Sequence, residues 1–160
     1  MVSEPGALSV GFPPIESPDA RVLVLGSLPG RTSLAMRQYY AQPQNAFWKI
    51  MGRLFGAAPE LPYERRVEVL RTRRVAVWDV LAAGERAGSL DSAIVPSSIV
   101  VNDFATFFAS HGEIRVVCFN GGKAAELYRR RVLPQPHLAV GRGHRRVPER
   151  RRAATPRPVR

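Results

Sequence analysis

Cysteine and histidine are scarce in this chain of 160 residues, which has one cysteine and three histidines and no Cys-x-x-Cys pair. A single cysteine cannot form an internal disulfide, and scattered histidines do not give the ligand spacing of a zinc site. We therefore expect neither a disulfide framework nor a bound metal. Because Cys118 lies in the apolar run IRVVCF, we expect it to be a core residue.

Long apolar runs and targeting or nucleotide-binding motifs are also missing. No stretch approaches the roughly 20 apolar residues of a membrane span, and MVSEPGALSVGFPPIESPD lacks the basic start and apolar centre of an export signal. The absence of a phosphate loop or a dinucleotide fingerprint disfavours a nucleotide-binding module. We expect a cytoplasmic protein without a cofactor and, because nothing in the sequence indicates an oligomer, a monomer.

Acidic residues are nearly absent from the last fifth of the chain. Residues 129–160 contain 11 arginines and one acid, Glu149, whereas residues 1–128 contain 13 basic and 12 acidic residues. Nearly all of the net charge of +11 therefore comes from the C-terminal segment, and such a segment attracts nucleic acid whatever its base sequence. Residues 135–160 show no periodicity and no convincing fourth strand, so we expect a disordered basic tail.

Between residues 21 and 134, β-branched and leucine-rich runs alternate with amphipathic segments. The runs RVLVLG, RVAVWDVL and EIRVVCFNGG are typical of strands buried on both faces. Four helices are predicted in NAFWKIMGRLFG, YERRVEVLRTR, NDFATFFASH and GKAAELYRRRV. This alternation predicts an α/β domain, a three-layer α/β/α sandwich around a small central parallel sheet of about four strands. Residues 1–20 are rich in proline and serine and predict an extended leader.

The predicted helices carry identifiable signals at their ends and on their faces. In the first helix, the apolar residues at helical spacing are Phe47, Ile50, Met51 and Leu54. Asn45 is available as its N-terminal cap and Gly56 as its stop. In the second helix we expect Val67 and Leu70 to face inward, and in the third Asp103 lies near the start.

Three loops follow the predicted strands, and ligands of open parallel sheets bind at the carboxyl ends of the strands. These loops are GSLPG after the first strand, WDVL at the end of the second strand, and FNGGK after the third strand. The first continues into QYYAQPQNAFW, which carries aromatic and amide side chains but few charges. That mixture suits a flat, neutral, hydrogen-bonding ligand better than a phosphate or a metal.

The chain resembles the uracil-DNA glycosylase superfamily in the order of its motifs, which is a first strand followed by GSLPG, YYA, PxNxFW and FNG. The pair Ser27-Leu28 inside the turn and the pair Tyr39-Tyr40 are most similar to the hypoxanthine-DNA glycosylase branch. The segments WDVLAAGERAGSLDSAI, NDFATFF and FNGGKA extend the resemblance over roughly residues 20–134. It implies a monofunctional DNA glycosylase that removes deaminated bases, hypoxanthine or uracil, and leaves an abasic site. No lysine falls in a matched motif where a lyase step would need it.

The resemblance also implies a closed pocket in which a flipped base stacks on Tyr40. The residues implied to bind the substrate are Gly26, Ser27, Leu28, Pro29, Gly30, Tyr40, Asp79 and Asn120. Many relatives carry an Asn or Asp inside the first turn to position the attacking water, and Leu28 cannot do this. In the hypoxanthine branch the resemblance transfers that role to Asn45. The implied chemistry needs neither a metal nor a covalent nucleophile.

Two departures from the family pattern leave a different class of function open. Gln42 and Gln44 replace a histidine and an arginine, and the second motif expected after Leu133-Pro134 is missing. These departures favour the alternative of a catalytically weak or inactive DNA-binding protein on a glycosylase scaffold. The abrupt change to Arg, Pro, Gly and Ala is what a GC-rich gene gives out of frame, so we hypothesise a replaced C-terminus that a reading-frame check would test.

Each candidate residue also has a structural interpretation that the sequence leaves open. Asn45 could be only a helix cap, a role that asparagine favours. Tyr40 could be an ordinary packing aromatic, and Asp79 could cap a turn. Asn120 could belong only to a strand-to-helix turn.

Overall fold

The computed structural model describes residues 6–136. Nearly all of the predicted basic tail, residues 135–160, lies outside these residues. The strands are β1 (Leu8–Val10), β2 (Val22–Gly26), β3 (Val75–Asp79), β4 (Leu81–Glu85), β5 (Val100–Val101) and β6 (Val116–Phe119). The α-helices are α1 (Arg31–Met36), α2 (Phe47–Phe55), α3 (Tyr63–Thr72), α4 (Phe104–Ser110) and α5 (Gly122–Leu127). A π-helical turn, Tyr128–Val132, continues α5.

A parallel sheet with strand order β3-β2-β6 forms the centre of the fold. Its register pairs Leu25 of β2 with Trp78 of β3 and with Phe119 of β6. The parallel arrangement confirms the prediction, although within residues 6–136 this sheet has three strands rather than about four. All three strands end at the same edge, because the pairing is parallel.

The sheet separates two apolar cores, one on each face. Leu23 and Leu25 pack with the aromatic residues of α4 and the apolar face of α5. Val24, between them in sequence, points to the opposite face and packs with residues of α2 and α3. This alternation is the period of two that a β-strand imposes, and it confirms the predicted three-layer α/β/α arrangement.

A second, antiparallel sheet with strand order β1-β4-β5 was not predicted. RVAVWDVL is not one strand, because the chain leaves the parallel sheet after Asp79 and enters the second sheet at Leu81. The cause is visible at the crossing point. Val80 donates its backbone N–H to the Gly26 carbonyl at 2.8 Å, and Leu81 donates to the Ser27 carbonyl at 3.1 Å. The chain therefore follows the turn after β2 instead of extending β3.

The leader packs against both sheets. β1 pairs with β4 from Leu8 opposite Glu85 onwards. Ile15, which is 4 % exposed, exchanges two backbone hydrogen bonds with Val77 at 2.8 and 2.9 Å. The adjacent carbonyls of Phe12 and Pro13 accept hydrogen bonds from the side chains of Trp78 and Tyr39. Residues 8–15 therefore contribute both backbone pairing and apolar surface to the fold.

The helix signals are largely confirmed. Gly56 ends α2 in the left-handed conformation with φ 85°, which glycine adopts without steric cost. Val67 and Leu70 of α3 are buried as predicted. Asp103 caps α4 by accepting a hydrogen bond from the backbone of Thr106 at 3.0 Å. In α2, however, the buried residues are Phe47, Trp48 and Met51, whereas Ile50 and Leu54 are exposed.

Cys118 is exposed, so its prediction as a core residue is wrong. It lies in β6, an outer strand of the parallel sheet within the described part of the chain. Its neighbour Val117 packs against one core, and Cys118 points to the other face. The described residues cover that face only in part at this edge, so the apolar sequence run does not lead to full burial.

Candidate functional site

Three of the predicted site residues converge where the parallel strands end. Gly26 is the last residue of β2, and its partner in the register is Asp79, the last residue of β3. Asn120 directly follows β6 and donates its backbone N–H to the Leu25 carbonyl at 2.8 Å. The strand order places β2 in the middle, so Asp79 and Asn120 lie on either side of Gly26.

Gly26 has no room for a side chain. A Cβ atom at this position would lie 2.5 Å from Asp79 Oδ1 and 2.6 Å from the hydroxyl oxygen of Tyr40. Both distances are shorter than any normal carbon–oxygen contact. The first glycine of GSLPG is therefore required by the close approach of two polar side chains.

Tyr40 reaches this point from the loop between α1 and α2. Its backbone has φ 53°, a left-handed conformation that costs a non-glycine residue about 1–2 kcal/mol. The ring stacks on Phe47 with centroids 4.0 Å apart and an interplanar angle of 23°. The buried hydroxyl makes no hydrogen bond of normal geometry with residues 6–136. Burial and the nearby Asp79 raise the pKa of Tyr40, and the approaching Asn120 side chain partly offsets this.

Asp79 is a carboxyl group in an almost closed environment, with 4 % of the residue exposed. Its backbone carbonyl is fixed by the Asn102 side-chain amide at 2.8 Å. Its Oδ2 has no hydrogen-bond partner among the described residues. Burial, reinforced by the charge of Asp91, raises the pKa of Asp79 to about 7, while Arg86 acts in the opposite direction.

Arg86 is a site residue that sequence reasoning missed. Its side chain is 1 % exposed, and its guanidinium donates to the carbonyls of Leu28 at 3.5 Å and of Pro29. It also pairs with Asp91 at 3.4 Å. Burial lowers the pKa of Arg86, an effect that Asp91 opposes. The buried guanidinium of Arg86 therefore holds the GSLPG turn from the interior of the protein. No signal in the sequence indicated this role, because Arg86 follows a run of mostly small residues.

The carbonyls of residues 26–29 are all engaged within the protein. Those of Gly26 and Ser27 accept from the chain that crosses to β4, and those of Leu28 and Pro29 face Arg86. The Leu28 side chain is 6 % exposed and belongs to a core cluster. A Cβ atom added at Gly30 would lie 3.4 Å from the Ser89 side chain. Leu28 can thus contact a ligand only through its backbone, and the turn can offer N–H groups rather than carbonyls.

Asn45 lies at the start of α2 and is exposed. Its Oδ1 accepts a hydrogen bond from the backbone N–H of Phe47 at 2.9 Å, so it satisfies a free amide at the helix start. None of the described residues accepts a hydrogen bond from its Nδ2, which leaves that amide group available. Because Phe47 stacks on Tyr40, Asn45 is placed next to the aromatic pair rather than in contact with Asp79.

Gln42 and Gln44, the two glutamines that depart from the family pattern, contact each other on the surface before Asn45. Gln42 Nε2 donates to Gln44 Oε1 at 2.6 Å, and Thr32 donates to Gln42 Oε1 at 3.0 Å. These hydrogen bonds order the segment that leads to Asn45. Two surface pockets, one beside Met36 and Val67 and one beside Phe55 and Val69, lie away from this site.

Neither a metal cluster nor a membrane helix is found in the part of the chain that the structure describes. No three or more His, Cys, Asp or Glu side chains there are grouped so that they could hold a metal ion. None of the helices between residues 6 and 136 combines the length and apolar character needed to span a bilayer.

Comparison with known proteins gives one consistent family. Residues 13–155 match the sequence model of the Uracil DNA glycosylase superfamily. The chain is 38 % identical over 133 residues to the hypoxanthine DNA glycosylase of Methanosarcina acetivorans, covering 78 % of this chain and 83 % of that protein. It is 37 % identical over 117 residues to that of Methanosarcina barkeri, covering 72 % and 73 %.

The fold agrees with the sequence matches. A solution NMR structure of a candidate uracil DNA glycosylase from Methanosarcina acetivorans superposes with a TM-score of 0.67 at 36 % identity, covering 78 % of this chain and 76 % of that one. The resemblance carried by GSLPG, YYA, PxNxFW and FNG is thereby confirmed, and the sheet edge where these motifs meet is the edge at which α/β folds bind ligands. The chain belongs to the uracil DNA glycosylase superfamily.

Proposed function

We propose that this protein is a monofunctional DNA glycosylase that hydrolyses the N-glycosidic bond of deaminated bases in DNA and leaves an abasic site. Hypoxanthine is the first candidate base and uracil the second. The observation that carries the proposal is the convergence of Tyr40, Asp79 and Asn120 around Gly26 at the carboxyl edge of the sheet. The names of the two archaeal relatives give hypoxanthine its priority.

Base recognition follows from the kinds of groups at this edge. An extruded base is read by stacking and by hydrogen bonds to its edge. Tyr40 supplies the aromatic surface, the Asn120 side chain supplies an amide, and the turn of residues 26–30 supplies backbone N–H groups. None of these groups presents a positive charge to the ligand, because the nearby Arg86 guanidinium donates its hydrogen bonds to the carbonyls of Leu28 and Pro29. The set therefore suits a neutral base.

We assign the positioning of the attacking water to Asn45. Cleavage of the bond passes through an oxocarbenium-like sugar, so a water held next to C1′ and a polarised environment lower the barrier. The Asn45 Nδ2 is free among the described residues, and one such amide is worth about 2–4 kcal/mol in comparable sites. Its Oδ1, which binds the Phe47 backbone at 2.9 Å, fixes the side-chain orientation.

DNA is the proposed partner, and the arginines of residues 129–160 are proposed to bind its phosphates without regard to base sequence. We expect a cytoplasmic monomer that needs no cofactor. Binding through this segment should weaken steeply with salt, because each phosphate contact releases condensed counterions.

The decisive experiment measures base release from oligonucleotides that carry one hypoxanthine or one uracil, followed by alkaline cleavage at abasic sites. Asn45→Ala removes both the amide and the helix-start oxygen, whereas Asn45→Ser keeps an oxygen for Phe47. We expect both variants to lose about 30- to 1000-fold in excision. Only Asn45→Ala should also lose about 1 kcal/mol of unfolding free energy. Full activity in Asn45→Ser would refute the catalytic role.

The alternative function, a DNA-binding protein with weak or no excision, is favoured by Gln42, Gln44 and Leu28 in place of the family's usual residues. It predicts binding that depends steeply on salt and does not distinguish hypoxanthine-containing from undamaged DNA. Release of either base by the wild-type protein in an Asn45-dependent manner would exclude it.

A further inference from the structure

We propose that Asp79 is the general acid of this site and donates a proton to N7 of the departing purine. The inference rests on the proposed glycosylase function and goes beyond it, because it gives Asp79 a chemical step in place of a binding contact. It starts from an observation that base binding alone does not explain. A carboxyl group is buried at the ligand-binding edge of the sheet with an oxygen that no described residue contacts by a hydrogen bond.

The position of Asp79 is fixed by the fold. It ends β3, its carbonyl is held by Asn102 at 2.8 Å, and the next residue is drawn toward the turn by the Gly26 carbonyl. Its Oδ1 lies close to Gly26: a Cβ atom added to that glycine would be 2.5 Å from this oxygen. The carboxyl group therefore lies at the surface on which a flipped base would be placed, next to Tyr40.

The groups around Asp79 favour its protonated form. The nearest cation, Arg86, is directed to the carbonyls of Leu28 and Pro29 and to Asp91, and it makes no hydrogen bond with Asp79 in the described structure. The other ionisable groups that act on this region are Tyr39, Tyr40 and Asp91, none of which is a cation. Burial disfavours the charged carboxylate, and Asp91 reinforces this effect more than Arg86 opposes it, so the carboxyl group retains its proton up to a pKa of about 7.

Tyr40 controls access to this proton. In the structure described, its ring and hydroxyl fill the space over Gly26, and Asp79 is 4 % exposed. The hydroxyl makes no hydrogen bond of normal geometry with residues 6–136, and the only side-chain amide that approaches it there is that of Asn120, so a tilt of the ring breaks no well-formed hydrogen bond among these residues. An entering base that stacks on the ring would move it off Gly26 and bring the base edge to Asp79.

The proposed step balances in protons and electrons. The C1′–N9 bond breaks, its electron pair goes to the purine, and the Asp79 proton goes to N7, so the base leaves neutral. Water adds through its oxygen to C1′ and releases one proton. That proton returns to the Asp79 carboxylate through solvent, and the enzyme is restored.

This chemistry distinguishes purines from uracil. A purine that leaves from N9 has a basic nitrogen, N7, in the same ring, whereas uracil that leaves from N1 has none. Loss of the acid should therefore slow hypoxanthine release more than uracil release. General acids contribute about 10²–10⁴-fold in rate.

The test is single-turnover excision by the full-length protein across a pH series, with hypoxanthine or 7-deazahypoxanthine in the same oligonucleotide. The deaza base replaces N7 with a carbon and cannot accept the proton. Asp79→Asn is the test variant. Asp19→Asn is the matched control, because Asp19 is exposed and pairs at 3.1 Å with Arg74, next to the opposite end of β3.

For the wild-type protein we expect hypoxanthine release to be constant below about pH 7 and to fall tenfold per pH unit above it. Asp79→Asn should release hypoxanthine about 100-fold more slowly than the wild type at low pH, and its rate should not fall above about pH 7. Asp19→Asn should match the wild type in both respects. On the deaza base, Asp79→Asn and wild type should differ by less than about threefold, because the two changes remove the same interaction.

Three results would overturn the inference. In the first, Asp79→Asn releases hypoxanthine as fast as the wild type. In the second, Asp79→Asn keeps the fall in rate above about pH 7. In the third, Asp79→Asn slows the release of hypoxanthine and of 7-deazahypoxanthine by the same factor. Circular dichroism and thermal unfolding of the variant exclude misfolding as the cause of a slow rate. If the wild-type protein releases neither hypoxanthine nor uracil, the proposed function fails first and this inference fails with it.

Discussion

The carboxyl group of Asp79 and the hydroxyl group of Tyr40 lie within 2.6 Å of one point, the position where a Cβ atom of Gly26 would be. One group comes from the end of a central strand and the other from a loop residue in a left-handed conformation. Each has a buried oxygen without a hydrogen-bond partner in the described residues. Buried polar groups of this kind cost stability unless something binds them, so the arrangement indicates a binding site.

Gly26→Ala should block the site without unfolding the protein. The new methyl group would overlap Asp79 and Tyr40 and force one side chain away, so we expect base excision to fall by more than about tenfold. Gly84→Ala is the control, since its Cβ would find ordinary contacts at 3.5 and 3.6 Å with Ile94 and Leu28. Equal excision rates for the two variants would contradict the placement of the site.

Tyr40→Phe and Tyr40→Ala should separate the ring of this residue from its hydroxyl. The phenyl ring keeps the stack on Phe47 and removes a buried hydroxyl without a partner, so the Phe variant should be as stable as wild type or more stable by about 1 kcal/mol. The Ala variant loses a base-stacking surface worth about 1–3 kcal/mol. Excision and thermal unfolding measure both effects, and a Phe variant as slow as the Ala variant would contradict the stacking role.

Asp79→Asn should change how stability depends on pH. The pKa of Asp79 is raised from 3.8 to about 7 in the folded protein. Between these values the unfolded chain has lost the proton that the folded protein retains, so wild-type stability falls as the pH rises and levels off above about pH 7.

The amide cannot titrate, so the Asn variant should lack this fall. Urea unfolding should show it more stable than wild type by about 2–4 kcal/mol near pH 8 and similar near pH 4. Parallel curves for the two proteins over this range would show that the folded-state pKa of Asp79 is not raised.

Arg86→Lys should destabilise the turn although it keeps the charge. A lysine ammonium cannot reproduce the fork that reaches the carbonyls of Leu28 and Pro29 together with Asp91. Leaving buried acceptors unmatched should cost about 2–4 kcal/mol of unfolding free energy. The control Arg21→Lys alters an exposed pair with Glu113 at 3.8 Å and should cost less than about 0.5 kcal/mol.

Sequence patterns predicted the parts of this fold that depend on local periodicity. The three strands of the parallel sheet, the four helices after Asn45 and the alternation that gives three layers follow from spacings of two and of three to four residues, whereas the predicted burial of the third strand on both faces is wrong. The carboxyl-edge location of Gly26, Asp79 and Asn120 followed from strand direction alone.

What the sequence did not predict depends on contacts between distant segments. The second sheet forms because Val80 and Leu81 bind the carbonyls of Gly26 and Ser27, more than fifty positions earlier. Arg86 is buried because its guanidinium donates hydrogen bonds to the carbonyls of Leu28 and Pro29. No residue near Arg86 in the sequence indicates that its side chain points inward. Cys118 is exposed because its strand is at an edge, and strand order is not encoded in the strand itself.

The carbonyl of Phe12 accepts a hydrogen bond from the Trp78 side chain at 3.2 Å, and the adjacent carbonyl of Pro13 accepts one from the hydroxyl of Tyr39 at 2.9 Å. These are the residues immediately before Asp79 and Tyr40. Two adjacent carbonyls of the leader therefore hold the two segments that lead into the site. A shortened protein starting at residue 21 would keep every motif and lose these two contacts. For biotechnology, the amino-terminal boundary of any expressed fragment or fusion should be placed upstream of residue 8.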